Sequence, residues 1–191
     1  MVQPKQVYLA GPEVFFPAAE HQAIVAEKKR VLREYDFEGV DPLDTELAFS
    51  DDEGKLDRGH RIYQANRELM NNCHAIIANL TPFRGISADP GTVYEVGYMI
   101  GQGKPAFGFT LDSRHYRDRA GATDLDELGH TIEDFEMSDN LMIAGGIRES
   151  GGQLFMAEQP GEHRFFSVEL FCRCVQALAH AGPHHFKSLG I

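Results

Sequence analysis

Short apolar segments alternating with stretches of helical spacing leave this chain few ways to fold. Gln6-Val-Tyr-Leu-Ala10, His74-Ala-Ile-Ile-Ala-Asn79 and Ala106 to Thr110 read as buried strands, with a weaker one at Phe37 to Val40. Helical patterns lie between them at Ala18 to Tyr35, Ile62 to Asn72 and Thr92 to about Gly101, and an amphipathic helix follows at Phe165 to Ala181. In the first helix, Ile24, Val25, Val31 and Leu32 share the inner face, while Lys28, Lys29, Arg30 and Arg33 are expected toward solvent. Gly97 and Gly101 are expected to let their helix pack closely on the sheet. The alternation predicts an α/β fold: a doubly wound, mostly parallel five-stranded sheet with helices on both faces, flavodoxin- or Rossmann-like. Such sheets bind ligands outside the carboxyl ends of their strands. Tyr8 with Gly11-Pro12, Asp41-Pro42, Asn79 and the turn before Glu95 all fall at or just past strand ends, so they converge on one edge.

With 191 residues, 42% of them hydrophobic, the chain has apolar material for one core. We expect a single domain over 1–191, with an acidic loop at 43–60 and a polar excursion at about 112–139. A formal charge of −11 argues against binding a nucleic-acid polymer or an anionic membrane. Cys73, Cys172 and Cys174 are odd in number, and the last two lie in a helical pattern, so no disulfide framework is expected. No HExxH or paired CxxC spacing is present, His184-His185 reads as a solvated pair, and neither metal nor cofactor is expected. The absence of a secretory leader pattern and of a long apolar run makes a reducing, cytoplasmic compartment the expectation.

Chemistry concentrates in Ser87-Ala-Asp-Pro-Gly-Thr-Val-Tyr-Glu-Val-Gly97, where Asp89 and Glu95 stand six residues apart across a Pro-Gly turn that opens a helix. With Thr92 as N-cap, Glu95 would lie in the first turn, where the helix dipole favours a carboxylate. Two carboxylates there suit a site that holds a sugar and attacks its anomeric carbon. Thr92-x-x-Glu95 also fits a capping box, in which Glu95 would only bond the helix start. Of Phe15 and Phe16, either belongs to the core or one stacks on a base.

These segments resemble the nucleoside 2-deoxyribosyltransferase family. The resemblance rests on Val7-Tyr-Leu-Ala-Gly-Pro12, Cys73-His-Ala-Ile-Ile-Ala-Asn79, Asp89-Pro-Gly-Thr-Val-Tyr-Glu-Val-Gly-Tyr98 with Gly103-Lys-Pro105, and Asn140-Leu-Met142, in the family's order. It implies Glu95 as the nucleophile, Tyr8 as the residue that orients it, Asp89 as a holder of sugar hydroxyls, and Asn140 as a residue lent to a neighbouring subunit. Gly11, Asn79 and Phe16 complete the expected substrate contacts, with Asn79 fitting a strand-end cap as readily as a ligand contact. Where family members carry an aspartate against the leaving base, this chain places Asn66, which cannot deliver a proton. The implied reaction moves 2-deoxyribose between a deoxynucleoside and a free nucleobase in a homo-oligomer with shared sites. The alternatives are a deoxynucleoside 5′-monophosphate N-glycosidase and a non-catalytic nucleotide sensor.

Overall fold

A computed structural model describes residues 4–121, 123–159 and 163–188, the stretch 182–188 by backbone alone. The side chains of His184-His185 therefore lie outside the described residues. The elements run β1 (Lys5–Ala10), α1 (Ala18–Arg33), β2 (Phe37–Val40), α2 (Lys55–Asn72), β3 (Ala75–Asn79), α3 (Pro90–Gly101), β4 (Ala106–Thr110), α4 (Tyr116–Ala120), α5 (Leu141–Glu149), β5 (Leu154–Met156) and α6 (Val168–Ser188). The five strands form one sheet in the order β2-β1-β3-β4-β5, and every neighbouring pair is parallel. This is the expected doubly wound α/β architecture.

Alternation along β1 divides the core. Val7 and Leu9 point into a layer with Val31 and Leu32 of α1 and Phe171, Val175 and Leu178 of α6. Tyr8 and Ala10 point the other way, into a layer with Met70 of α2, Val96 and Met99 of α3, and Ile143 and Ile147 of α5. That parity decides the site, because it aims Tyr8 at the helix that carries Glu95. The close passage of the chain into β5 requires Gly152, where a Cβ would stand 1.7 Å from the Ala106 carbonyl oxygen.

The structure corrects several local expectations. The segment 43–60 is not all loop: a short 3-10 turn spans Pro42–Asp44 and α2 begins at Lys55. Met70 is the one buried residue of α2, so its first half shows no apolar stripe to read. The final helix starts at Val168, three residues later than expected, and runs on to Ser188. Neither Gly97 nor Gly101 serves close packing, since a Cβ at either would meet nothing within 4 Å. Lys28 does not face solvent. It is 2% exposed, its ammonium is 2.6 Å from Glu13, and the rings of Phe109, Phe166 and Phe171 lie within 6 Å of it. Among the described residues, no helix is long and apolar enough to cross a membrane.

Candidate active site

The turn into α3 is built by Asp89. Its backbone is extended, Pro90 takes the first helical position where no N–H is needed, and Asp89 Oδ2 accepts the N–H of Thr92 at 3.0 Å. Asp89 is therefore the N-cap, and the expected cap at Thr92 is corrected. Glu95 falls in the second turn, and the Thr92–Glu95 capping box is not made. Glu95 instead accepts a hydrogen bond from the hydroxyl of Tyr8 at 2.7 Å, across 87 residues of sequence. The Tyr8 side chain is completely buried and Glu95 half-buried, so the bond is approached by solvent only from the Glu95 side.

The electrostatics of Glu95 depart from the expected ionised carboxylate. Burial pushes its carboxyl up to about 7; the bond from Tyr8 opposes this, and the negative charges of Asp89 and Asp41 reinforce it. Burial is the largest of these effects and outweighs the single hydrogen bond to the charged form. Burial likewise raises Tyr8, with Glu95 adding to the effect, so the phenol keeps its proton and remains a donor. Asp41 immediately follows β2, caps the 3-10 turn by accepting the N–H of Leu43 at 2.9 Å, and faces His21 Nε2 at 3.2 Å. Burial raises its carboxyl as well. Three carboxyl groups thus crowd one strand-end edge, a field that favours a ligand acquiring positive charge.

The other expected residues divide into two groups. Asn140 is exposed at the N-terminus of α5, where its Oδ1 accepts the N–H of Met142 at 3.0 Å. Leu141 and Met142 beside it are 37% and 74% exposed. Asn66 is half-buried on α2, a helix held to α3 by Tyr63 and Tyr94, whose hydroxyls are 3.2 Å apart. Phe16 is half-buried, with its ring 5.2 Å from that of Phe165, and it lines a 480 Å³ cavity with His21, Asp41 and Leu43.

Asn79 and Gly11 form the underside of the edge. Asn79 is completely buried. Its amide nitrogen donates to Glu13 at 2.9 Å and to the Phe165 carbonyl at 2.6 Å, and its oxygen accepts from the N–H and hydroxyl of Thr81. All its hydrogen-bonding capacity is used within the protein. The expected ligand contact at Asn79 is therefore corrected to a support for the turn after β1. A Cβ on Gly11 would stand 1.9 Å from Glu13 Oε2, so glycine there lets the Glu13 carboxylate fold back under the strand end. The sequence reading missed Glu13 and Lys28 as a pair. The available signal was the spacing of Lys28, four residues after Ile24 and three before Val31, which places it on the inner face of α1.

Together these observations define a doubly wound α/β protein with a tyrosine-held carboxylate at the carboxyl edge of its sheet. The sequence model of the nucleoside 2-deoxyribosyltransferase family matches residues 7–142, and the chain belongs to that family. It is 32% identical to an uncharacterised protein of Schizosaccharomyces pombe, the match covering 76% of this chain and 78% of that protein. Among solved structures, it is similar to a 2-desoxiribosyltransferase from Leishmania mexicana, with 28% identity, a TM-score of 0.64, and 91% of this chain and 98% of that one covered. A conserved protein from Enterococcus faecalis shares the fold at 21% identity and a TM-score of 0.56, over 91% of this chain and 98% of its own.

Proposed function

We propose that this protein transfers 2-deoxyribose from a deoxynucleoside to a free nucleobase through a covalent ester on Glu95. The observation that carries this reading is the 2.7 Å bond from Tyr8 to Glu95, which orients the carboxylate while leaving its second oxygen without a protein donor among the described residues. In the first half-reaction, the Glu95 carboxylate attacks C1′ on the face opposite the base. A C1′–O bond forms, the C1′–N bond breaks, and its electron pair leaves with the base. The acidic edge stabilises the oxocarbenium character that builds on the sugar. In the second half-reaction, a ring nitrogen of an incoming base attacks C1′ from the original side, the C1′–O bond breaks and its electron pair returns to the carboxylate, and the proton of that ring nitrogen passes to solvent, with net retention. Asp89 holds sugar hydroxyls with the oxygen that does not cap α3, and Phe16 and Asn66 contact the base. Asn66 has no proton to give, so the departing base takes its proton from water or another group. A substrate carrying a 5′-phosphate dianion suits this edge less well, since it would meet Asp89 close to Glu95.

Chromatography of 2′-deoxyinosine with and without free adenine tests the reading. A new deoxyadenosine peak is expected. Base release alone, independent of adenine, would make the protein a hydrolase, and an unchanged mixture would leave it a sensor.

The ionisation of Glu95 predicts a pH profile. The nucleophile must be ionised, so kcat/KM, which reports the free enzyme, is expected to rise with pH through a midpoint near 7, where burial places Glu95. Tyr8→Phe removes the bond that favours the carboxylate, so the midpoint should move upward. The rate above it should fall roughly ten- to a thousand-fold, the scale of one oriented donor in a shielded site. A midpoint that stays in place or moves down in Tyr8→Phe would show that the phenol does not act through Glu95.

A further inference from the structure

The polar excursion between β4 and α5 contains a buried pair that the proposed chemistry does not use. The Arg119 and Asp139 side chains are 3% and 2% exposed, with Arg119 Nη2 3.8 Å from Asp139 Oδ2. Burying two such groups is costly unless every donor and acceptor finds a partner, and the partners identify what the pair holds. The Arg119 guanidinium donates to the carbonyls of Ile86 at 2.8 Å, Arg114 at 2.7 Å and Ser138 at 2.5 Å. Asp139 accepts the N–H of Ala88 at 2.8 Å on Oδ2 and that of Asn140 at 2.8 Å on Oδ1. Ala88 immediately precedes Asp89, and Asp139 immediately precedes Asn140.

We infer that Arg119 and Asp139 form a clamp that positions Asp89, proposed above to hold sugar hydroxyls, and Asn140, which we propose reaches a sugar hydroxyl through its side-chain amide, relative to each other. They are positioning residues, and the inference rests on the proposed deoxyribosyl chemistry. The loop from β3 to α3 carries Pro82 and Gly85 and has no strand or helix of its own between Asn79 and Pro90. Its lower end is tied to the rest of the protein by Arg119 at Ile86 and by Asp139 at Ala88. The same clamp sets the start of α5, so Asp89 and Asn140 become the N-caps of two helices that leave one anchored junction. This gives the excursion a role: it carries a guanidinium to carbonyls that no regular element supplies. The coupling holds whether Asn140 serves its own chain's site or a neighbour's.

A misplacement of about 1 Å in a group that orients substrate can cost about 100-fold. Asp139→Ala should therefore lower kcat/KM for 2′-deoxyinosine by about 10- to 100-fold. The distinguishing readout uses analogues lacking the 3′-hydroxyl or the 5′-hydroxyl, each assayed with wild type and variant. If the clamp acts by placing the residues that hold those hydroxyls, the variant's penalty should shrink to about threefold or less on at least one analogue, because the contact it misplaces is already gone. Arg119→Met should give the same hydroxyl-dependent pattern. Asp139→Asn, which keeps one acceptor oxygen, should fall between wild type and Asp139→Ala, and it serves as the variant to read if the alanine protein does not fold. An equal penalty on all three substrates, or no penalty, in a folded variant would overturn the inference. A wild-type protein that neither transfers sugar nor releases base would overturn the reading of the site itself, and the clamp's role with it.

Discussion

Glu95→Ala should abolish deoxyribosyl transfer while leaving the fold intact. The expected loss is about 10⁴-fold or more in kcat, the scale seen when a covalent nucleophile is removed from a set of groups that act together. Structural damage should be small, because the element most exposed to it does not depend on Glu95. The start of α3 is capped by Asp89, and among the described residues the side-chain hydrogen bond lost is the one from Tyr8. Burial has also raised the Glu95 carboxyl from an ordinary 4.5 to about 7, so its ionised form opposes folding. For an acid shifted upward, the favourable contribution to stability is complete below about 4.5 and is lost as pH rises to about 7. The variant lacks that loss, so its Tm relative to wild type should be unchanged or higher at pH 8 and should compare less favourably at pH 4.5. Near-wild-type transfer by a folded Glu95→Ala protein would remove the nucleophile from the mechanism. A Tm that collapses at pH 8 would instead mean that Glu95 holds the fold.

How much of this was legible in the residues differs from element to element. Three of the four strands read from the sequence are nearly continuous apolar runs, the pattern that a parallel sheet covered on both faces demands, and the edge strand Phe37–Val40 carries Glu38 and reads more weakly. β5 has three residues, Leu154–Met156, too few to show any period. α5 buries only Ile143 and Ile147, and Gly145-Gly146 between them hides even that pair from a reading of helical periodicity. Lys28 shows two rules in conflict. Charge argued for solvent and spacing for the core, and spacing prevailed because Glu13 meets the ammonium there. The meeting of Tyr8 and Glu95 was legible through the family's motif order. Its electrostatics were not, because the raised carboxyl of Glu95 depends first on burial, and on Asp41 brought in from another element beside the local Asp89. The Arg119–Asp139 clamp was invisible for a simpler reason. It acts on backbone carbonyls and N–H groups, which every residue carries, so no sequence pattern marks its targets.

The second large effect concerns assembly, and it should appear as recovered activity rather than loss. Asn140 stands exposed at the head of α5, and Leu141 and Met142 beside it expose 37% and 74% of their surface. Exposed apolar side chains directly beside an amide suit a segment that seats against a second copy of the chain and offers its amide to that copy's sugar. Asn140→Ala and Glu95→Ala should each be nearly inactive alone. Mixed after mild dissociation, they should regain activity, because a hybrid site can combine Glu95 of one chain with Asn140 of the other. For a dimer with random pairing, half of the assemblies are hybrid and half of their sites are intact, so about a quarter of wild-type activity is expected. The competing arrangement is concrete, since Asp139 ties the start of α5 to Ala88 of the same chain and so keeps Asn140 near its own Asp89. If Asn140 serves its own chain, every hybrid contains one chain lacking Glu95 and one lacking Asn140, and no site is complete. Demonstrably mixed oligomers without recovery, or full activity from a strictly monomeric wild-type sample, would decide for that arrangement and against a shared site.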